Sequence, residues 1–321
     1  MKNILVSFSF FAYLCMLNMQ SRIIMKNIAF IINPVSGTQN KRRIPKQIEK
    51  TIDKSQWATD IVFTEYAGHA AELAEQYARL GFDAVVAVGG DGTVNEVASG
   101  LRGFNTALGI IPVGSGNGFA RHLNIPLRTP RAIEMLNHSE AISVDYGMLE
   151  GKPFFCTCGT GFDAVIAEKF AHAGRRGLAT YVKQIVQDFF GYQPQHYVLR
   201  YRETDEWKEL ETDAFLITFA NANQWGNAAY IAPRASMQDG LLDIAVLSAF
   251  PLRSIPALTY RLFEKSLDES LHMTTLHARE VVLIRQEEGS FHYDGDPINM
   301  PAEVHIKLIP DGLKCLVGKR Y

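Results

Sequence analysis

Three stretches of this sequence set glycine, hydroxyl, amide and carboxylate groups where an apolar run stops. Gly89-Gly90-Asp91-Gly92-Thr93 closes the run Ala84 to Val88 and leads into a helical pattern carrying Asn95 and Glu96. Glycines let backbone N–H groups approach an anion, and a helix N-terminus favours negative charge. A carboxylate beside them suits a hard divalent cation, so the chemistry indicated is that of a nucleotide phosphate with Mg²⁺. The plainer reading, a tight strand-to-helix turn with Asp91 as its cap, fits such dense glycine around one acid less well. Asn33-Pro34-Val35-Ser36-Gly37 follows another apolar run, with Lys41, Arg42 and Arg43 beyond it, and Gly114-Ser115-Gly116-Asn117-Gly118-Phe119-Ala120-Arg121 follows a third. Each of these two, taken singly, is ordinary turn material.

Such loops act together only if strands deliver them to one edge of a sheet. Apolar runs at Ile28 to Ile32, Ile61 to Phe63, Ala84 to Val88 and Ala107 to Pro112 alternate with helical periods near Ile44 to Ile52, Ala70 to Leu80 and Val94 to Leu101. This rhythm predicts a Rossmann-like α/β domain with a parallel sheet over residues 25–147, its glycine loops leaving the carboxyl ends of strands, where open α/β sheets bind ligands. Beyond Asp145 the texture turns to alternating segments: Phe154 to Cys158, Tyr197 to Arg202, Phe215 to Phe219, Leu242 to Leu247, Val281 to Arg285 and Val304 to Leu308. These predict a mainly β domain over residues 148–321, with helical interruptions at Leu178 to Phe190 and Ile255 to Leu267. Its last strands are free to return to the first domain.

Composition bounds the rest. A chain of 321 residues with 47% hydrophobic and 21% charged residues is neither disordered nor a polytopic membrane protein. A formal charge of −2 lacks the basic excess of a dedicated nucleic-acid binder. Cys15, Cys156, Cys158 and Cys315 form no C-x-x-C pair and read as reduced packing residues of a cytosolic protein. Residues 1–24 carry a short apolar run, Ile4 to Leu17, and a second Met-Lys-Asn-Ile begins at Met25. An over-extended start is expected there, with an export signal or amphipathic anchor as the competing reading. Neither G-x-x-x-x-G-K-[ST], nor G-x-G-x-x-G, nor protein-kinase signatures occur, so nucleotide binding would be of another kind.

The motifs together resemble the diacylglycerol kinase catalytic family, which includes bacterial lipid kinases and sphingosine and ceramide kinases and is distantly similar to NAD kinases. The resemblance runs through Asn33 to Gly37, Thr64 with Gly68-His69-Ala70, Gly89 to Thr93 with Asn95-Glu96, Gly114 to Arg121, Gly161-Phe162-Asp163, Pro233 with Asp239 to Asp243, and Asp294-Gly295-Asp296, in the family's order. It implies that Asn33, Ser36, Thr64, Gly90, Asp91, Gly92, Thr93, Glu96 and Ser115 surround ATP in a cleft between the α/β domain and a β-sandwich domain, with Pro34, Gly37, Gly89, Gly114, Gly116 and Asn117 shaping the same loops. It also implies Mg²⁺ held by the Asp239 carboxylate and the carbonyls of Ser236 and Leu241, although Asp-Gly is equally a common hairpin turn. The family's Asp-Gly-Glu supplies the proton acceptor for the lipid hydroxyl; here it reads Asp294-Gly295-Asp296, one methylene shorter. Asp296 is therefore the first candidate base, with Asp294 and Asp91 as alternates.

The expectation that follows is an ATP- and Mg²⁺-dependent kinase acting on the primary hydroxyl of a membrane lipid. Diacylglycerol and, because the Gly-Ser-Gly-Asn form is similar to the sphingosine and ceramide branch, a sphingoid base or ceramide are both open. The rivals are an NAD kinase-like enzyme with a soluble substrate and a non-catalytic nucleotide- or lipid-binding regulator. The protein is expected in the cytoplasm, peripheral at the inner membrane face, with a homodimer left open and no nucleic-acid partner. Phe189, Phe190, Tyr192, Tyr260, Leu262 and Phe263, beside Arg175, Arg176, Lys183 and Arg261, are candidate membrane contacts, or else ordinary core aromatics with solvated charges. His69 and His122 are expected to be structural.

Overall fold

The structure is a computed structural model that describes residues 25–36, 43–172 and 188–319. The uninterrupted apolar runs become strands covered on both faces: β1 (Lys26–Ile32), β3 (Ala84–Gly89) and β4 (Ala107–Pro112). With β2 (Trp57–Phe63), an edge strand, they form a parallel sheet in the order β2-β1-β3-β4. The helices α1 (Ile44–Thr51), α2 (His69–Arg79) and α3 (Asp91–Leu101) alternate with the strands, and α4 (Gly118–His122) and α5 (Thr129–Leu136) follow β4. Their buried residues, such as Ile48, Ala74, Val97 and Ile133, share one core with the strands.

The second half is antiparallel and mainly β. It comprises β5 (Ser139–Leu149), β6 (Lys152–Phe154), β7 (Thr157–Gly161), β8 (Gln195–Arg202), β9 (Lys208–Ala220), β10 (Leu242–Ser248), β11 (Met273–Ala278), β12 (Glu280–Arg285), β13 (Gly289–Tyr293), β14 (Asp296–Met300) and β15 (Glu303–Gly318). The helices α6 (Phe162–His172) and α7 (Ile255–Phe263) interrupt them. Sheet order runs β14-β13-β7-β9-β8-β12-β15 and then passes into β4. The expected pairing of a parallel α/β half with a mainly β half holds.

The seam between the halves is a ribbon. β5 and β15 pair antiparallel along most of their length, with a register shift between Ile309 and Leu313. Val304, Ile306 and Leu308 of β15 lie in the β core, while Leu313, Cys315 and Val317 lie in the α/β core. β5 divides in the same way, Val144 and Tyr146 against Leu149.

Some expectations shift. The strand expected over Phe154 to Cys158 is broken after Phe154, because the amides that follow turn to a side chain described below. The helix expected to reach Leu267 ends at Phe263, and Lys265 then takes φ +57. The helix expected over Leu178 to Phe190 falls almost wholly outside the described residues, which resume with a turn of helix from Asp188. Cys156, Cys158 and Cys315 are free and buried, and burial holds their thiols high, as suits packing residues.

Candidate functional site

Two glycine loops meet backbone to backbone. A Cβ on Gly114 would lie 2.6 Å from the Gly90 Cα, so the loops after β3 and β4 approach this closely only because both positions lack side chains. Asp91 then locks them together: its Oδ2 accepts from the Asn117 amide at 2.8 Å and its Oδ1 from the Gly118 amide at 2.7 Å. Asn117, at φ +52, folds back on Gly114 through its own amide, and Arg121 donates to the Gly116 carbonyl at 2.9 Å. The first amides of α3, on Asp91, Gly92 and Thr93, have no partner within the helix, and Ser115 stays exposed nearby in the chain's fold.

The β1 loop joins the same edge. Asn33 donates its amide to the Val88 carbonyl at 3.1 Å and its Nδ2 to Thr93 Oγ1 at 3.1 Å, while Ser36 Oγ donates to the Asn33 carbonyl. Thr64, buried, continues from β2 with its amide on the Ile32 carbonyl. Glu96 accepts from the amides of Gly68 and Ala70 at 2.9 and 3.2 Å, closing the N-terminus of α2. Pro34 lies in the same turn, Gly89 ends β3, and Gly37 lies outside the described residues. The structure thus gathers the expected loop residues, and it commits both Asp91 and Glu96 carboxylates to backbone amides.

Asp294 and Asp296 differ sharply. Asp294, at φ +49, accepts from the amides of Phe155, Cys156 and Thr157 at 2.7, 2.7 and 3.0 Å; these are the amides that break the expected strand. Burial pushes Asp294 up to about 6 against the pull of those bonds. Asp296 is exposed at the start of β14, and its carboxylate has no hydrogen-bond partner among the described residues. Burial of part of the group and the Glu96 carboxylate raise its pKa, with His292 opposing. Of the three expected candidates, only Asp296 has a carboxylate free to accept a proton from a bound hydroxyl.

A buried ion pair that sequence reading missed sits beside them. Asp163, in the first turn of α6, accepts from Thr218 Oγ1 at 2.6 Å and lies 3.0 Å from His292 Nε2. Thr218, Gly159 and His292 form a row across β9, β7 and β13, and a Cβ on Gly159 would come within 2.5 Å of Asp163 Oδ2. Burial works against an imidazolium here, yet the Asp163 carboxylate, backed by Asp294 and Asp296, raises His292. The one signal in the sequence was the bare Gly159 before Gly161-Phe162-Asp163. His69 and His122, by contrast, accept backbone amides from Glu65 and Asn223.

A cavity of about 340 Å³ reaches from Asp91, Asn95 and Gly118 to Asp163, His292, Asp294 and Gly295; Asp296, next in the chain, is not among its lining residues. A second cavity, about 300 Å³ and almost wholly apolar, is walled by Phe162, Phe189, Phe215, Phe250, Leu258 and Leu262. Ile166 and Trp225 line both. Phe189, Tyr192 and Leu262 therefore pack inward, as the core alternative for these residues has it, whereas Phe190, Tyr260 and Phe263 are more than half exposed, as are Leu252 and Leu271. Arg175, Arg176 and Lys183 lie outside the described residues, and Arg261 is bonded to the Ser266 carbonyl and Glu269.

Among the described residues the expected metal segment bonds to β5, through Ser143 and Asp145. Asp239 is exposed, with one oxygen accepting the Leu241 amide at 3.1 Å; Ser236 Oγ accepts the Gln238 amide. Buried Asp145 accepts the Gly240 and Asp311 amides, and burial together with the Asp311 and Asp239 charges raises it. Burial and Asp239 also push Asp243 to about 6. Among the described residues no cluster of three metal-ligating side chains forms; one Asp239 carboxylate oxygen accepts no hydrogen bond there, its charge is felt by Asp145 and Asp243, and an oxygen donor of this kind suits a hard cation.

Comparison with known proteins follows this division. Residues 27–149 match the diacylglycerol kinase catalytic domain, and residues 156–317 match the YegS C-terminal NAD kinase beta sandwich-like domain. A curated protein of Yersinia pestis (strain Pestoides F), "Probable lipid kinase YegS-like", is 27% identical over 262 residues, covering 77% of this chain and 83% of its own. Its namesake in Yersinia pseudotuberculosis (serotype O:1b, strain IP 31758) gives the same values. The crystal structure of a diacylglycerol kinase from Bacillus anthracis str. Sterne superposes with a TM-score of 0.73 at 20% identity, covering 92% of this chain and 98% of that one. A second chain from that organism gives 0.73 at 23%.

Proposed function

The chain belongs to the diacylglycerol kinase catalytic family of lipid kinases, and on that premise we propose that it transfers the γ-phosphate of ATP, with Mg²⁺, to a primary hydroxyl of a membrane lipid. The observation that carries the reading is the pair of adjoining cavities: one lined by Asp91, Asp163, His292 and Asp294 amid mainly apolar surface, which reaches the glycine loops, and a second, almost wholly apolar one that shares Ile166 and Trp225 with it. A lipid has this division of chemistry, with a polar end for transfer and chains for the apolar cavity. A second nucleotide does not, which counts against a soluble-substrate NAD kinase.

In this reading the amides of α3 and the loops of Asn33, Ser36 and Ser115 would hold the nucleotide phosphates, whose transfer depends on positioning and charge neutralisation. Asp239, with the carbonyls of Ser236 and Leu241, would hold a structural Mg²⁺. A cation bound with the nucleotide supplies charge neutralisation at the phosphates. Asp296 accepts the proton of the attacking hydroxyl, its raised pKa making it a better base than an ordinary aspartate. Asp91 and Asp294 hold the loops and the β13–β14 corner in place.

The acceptor meets the protein at a membrane surface. Supporting this, α7 carries exposed Tyr260 and Phe263 on the same helix as cavity-lining Leu258 and Leu262, with exposed Leu252 just before it. Among the described residues no helix is long and apolar enough to cross a membrane.

The test is to incubate the purified protein with γ-labelled ATP, Mg²⁺ and micelles of diacylglycerol, sphingoid base or ceramide, and to resolve the products. A labelled lipid in one lane supports the reading and names the substrate class. Blank lipid lanes with NAD phosphorylated would favour the soluble-substrate enzyme, and bound ATP with no label anywhere would favour a non-catalytic regulator.

A further inference from the structure

Trp225 lies where the two cavities adjoin. It lines both together with Ile166, and it packs on the cluster of Phe162, Leu216, Ile231 and Leu258 that walls the apolar one. An acceptor with its reacting end toward the glycine loops and its apolar part in the second cavity therefore lies against this half-buried residue. That is the level at which the polar end of a lipid joins its chains.

The loop that carries Trp225, between β9 and β10, is fastened to the nucleotide side at three points. The Asn223 amide donates to His122 Nδ1 at 3.1 Å, the Asn227 amide donates to the Gly116 carbonyl at 3.3 Å, and a Cβ on Gly226 would lie 3.2 Å from the Gly116 Cα. The Gly116 carbonyl also takes Arg121, and the N–H of the same peptide unit, on Asn117, is the one that Asp91 holds. The backbone beyond Trp225 is unusual: Gly226, Asn227 and Ala228 stand consecutively at φ +115, +50 and +62. This region is open to glycine, tolerated by asparagine and costly for alanine, so it persists only where the surroundings impose it. Here Gln224 Oε1 accepts the Ala228 amide at 3.3 Å, the Ala229 amide donates to the Gly226 carbonyl at 2.9 Å, and the Trp225 amide donates to the Ala229 carbonyl at 3.1 Å. The glycine loop completes the set, and so the place of Trp225 depends on the loop that faces the nucleotide.

On the lipid-kinase reading, we propose that Trp225 is a positioning residue for the lipid acceptor, and that Gly226 and Asn227 tie it to the glycine loop so that nucleotide and acceptor each strengthen the binding of the other. A nucleotide that orders the glycine loop steadies the backbone on which Trp225 stands, and an acceptor that holds Trp225 steadies the glycine loop in return; such coupling is reciprocal. Asp296 keeps the proton-accepting role.

The test uses the full chain and whichever of dioctanoylglycerol, sphingosine and a short-chain ceramide the wild type labels best in mixed micelles. Trp225→Leu should raise the KM for that lipid about tenfold or more, leave the affinity for a non-transferable ATP analogue in lipid-free micelles within about twofold of wild type, and be largely rescued by Trp225→Phe. In calorimetry, saturating lipid should tighten the analogue about fivefold or more in the wild type, and both Trp225→Leu and Gly226→Ala should bring that ratio close to one. A wild-type acceptor KM in Trp225→Leu overturns the positioning role, and a ratio of one in the wild type overturns the coupling; each leaves the kinase reading intact. A wild-type ratio in Gly226→Ala overturns the tie through the glycine loop, and where that variant does not fold, a wild-type ratio in Trp225→Leu overturns it instead. A wild type that labels none of the three lipids overturns the kinase reading and the role of Trp225 with it.

Discussion

Asp91 offers the sharpest separation of a structural role from a chemical one. Asp91→Asn keeps the shape of the side chain but can accept only one of the two amides now bound at 2.8 and 2.7 Å, and its new N–H donor faces the other. A bond to an ionised acceptor contributes about 1.5–3 kcal/mol, and a neutral acceptor roughly half of that. Asp91 is half-buried, so water recovers part of the loss, leaving about 2–3 kcal/mol for the loop's closed form. At about 1.4 kcal/mol per tenfold, amide exchange at Asn117 and Gly118 should accelerate about 30- to 150-fold. Hydrogen–deuterium exchange on a peptide spanning residues 113–120 reads this directly, with the β8–β9 hairpin as an internal reference. Nucleotide affinity should fall along with protection. Wild-type exchange at those amides in a variant that binds ATP but turns nothing over would refute the latch and return Asp91 to the reaction itself.

Asp296→Asn should abolish lipid phosphorylation while sparing ATP binding by calorimetry; retained turnover would move the base elsewhere. Because Asp296 acts when deprotonated and its pKa is raised in part by Glu96, the acid limb of kcat/KM should lie above the ordinary aspartate range and move to lower pH in Glu96→Gln. Asp294→Asn turns an amide donor toward one of three backbone N–H groups and should lower stability by about 1–3 kcal/mol in urea melts, with an unchanged midpoint counting against the corner described above. Gly159→Ala should cost about 1–3 kcal/mol, since its Cβ would meet Asp163 Oδ2 at 2.5 Å and the Ile217 carbonyl at 2.7 Å, and by displacing Asp163 it should lower the His292 pKa in an NMR titration. Added Mg²⁺ should raise the melting temperature of the wild type but not of Asp239→Asn, and an equal rise in both would remove the cation from that turn.

The α/β half was legible because its inner strands, β1, β3 and β4, are buried on both faces. Ala84 to Val88 and Ala107 to Pro112 are continuous apolar runs in the sequence and wholly buried in the fold, and the glycines that follow them announce the loops. What stayed hidden depends on contacts between distant residues. β5 and the broken strand after Phe154 answer to partners in β15 and at Asp294, which no local pattern contains. Helix α6 carries apolar residues around much of its circumference, so its period is faint. Asp163 and His292 are unremarkable in isolation, and only the bare Cα of Gly159 marks the place where they meet. For the same reason Asp91, Asp294 and Asp296 look alike as letters and are told apart only in the fold, by their burial and by how many backbone amides each one holds.

The β5–β15 ribbon also bears on the order in which the protein can be made. β4 is synthesised early, yet its neighbour on one side is β15, through Cys315 beside Leu108, at the far end of the described chain. As the polypeptide leaves the ribosome, the nucleotide-binding half must therefore wait with that strand edge unpaired until the second half has been translated. Pairing across so long a loop slows folding, and the waiting edge is a template for association with other nascent chains. A chaperone that shields β4 would thus act on the half that carries the glycine loops, and interrupting translation before β15 would leave that half complete in sequence but unable to finish its sheet.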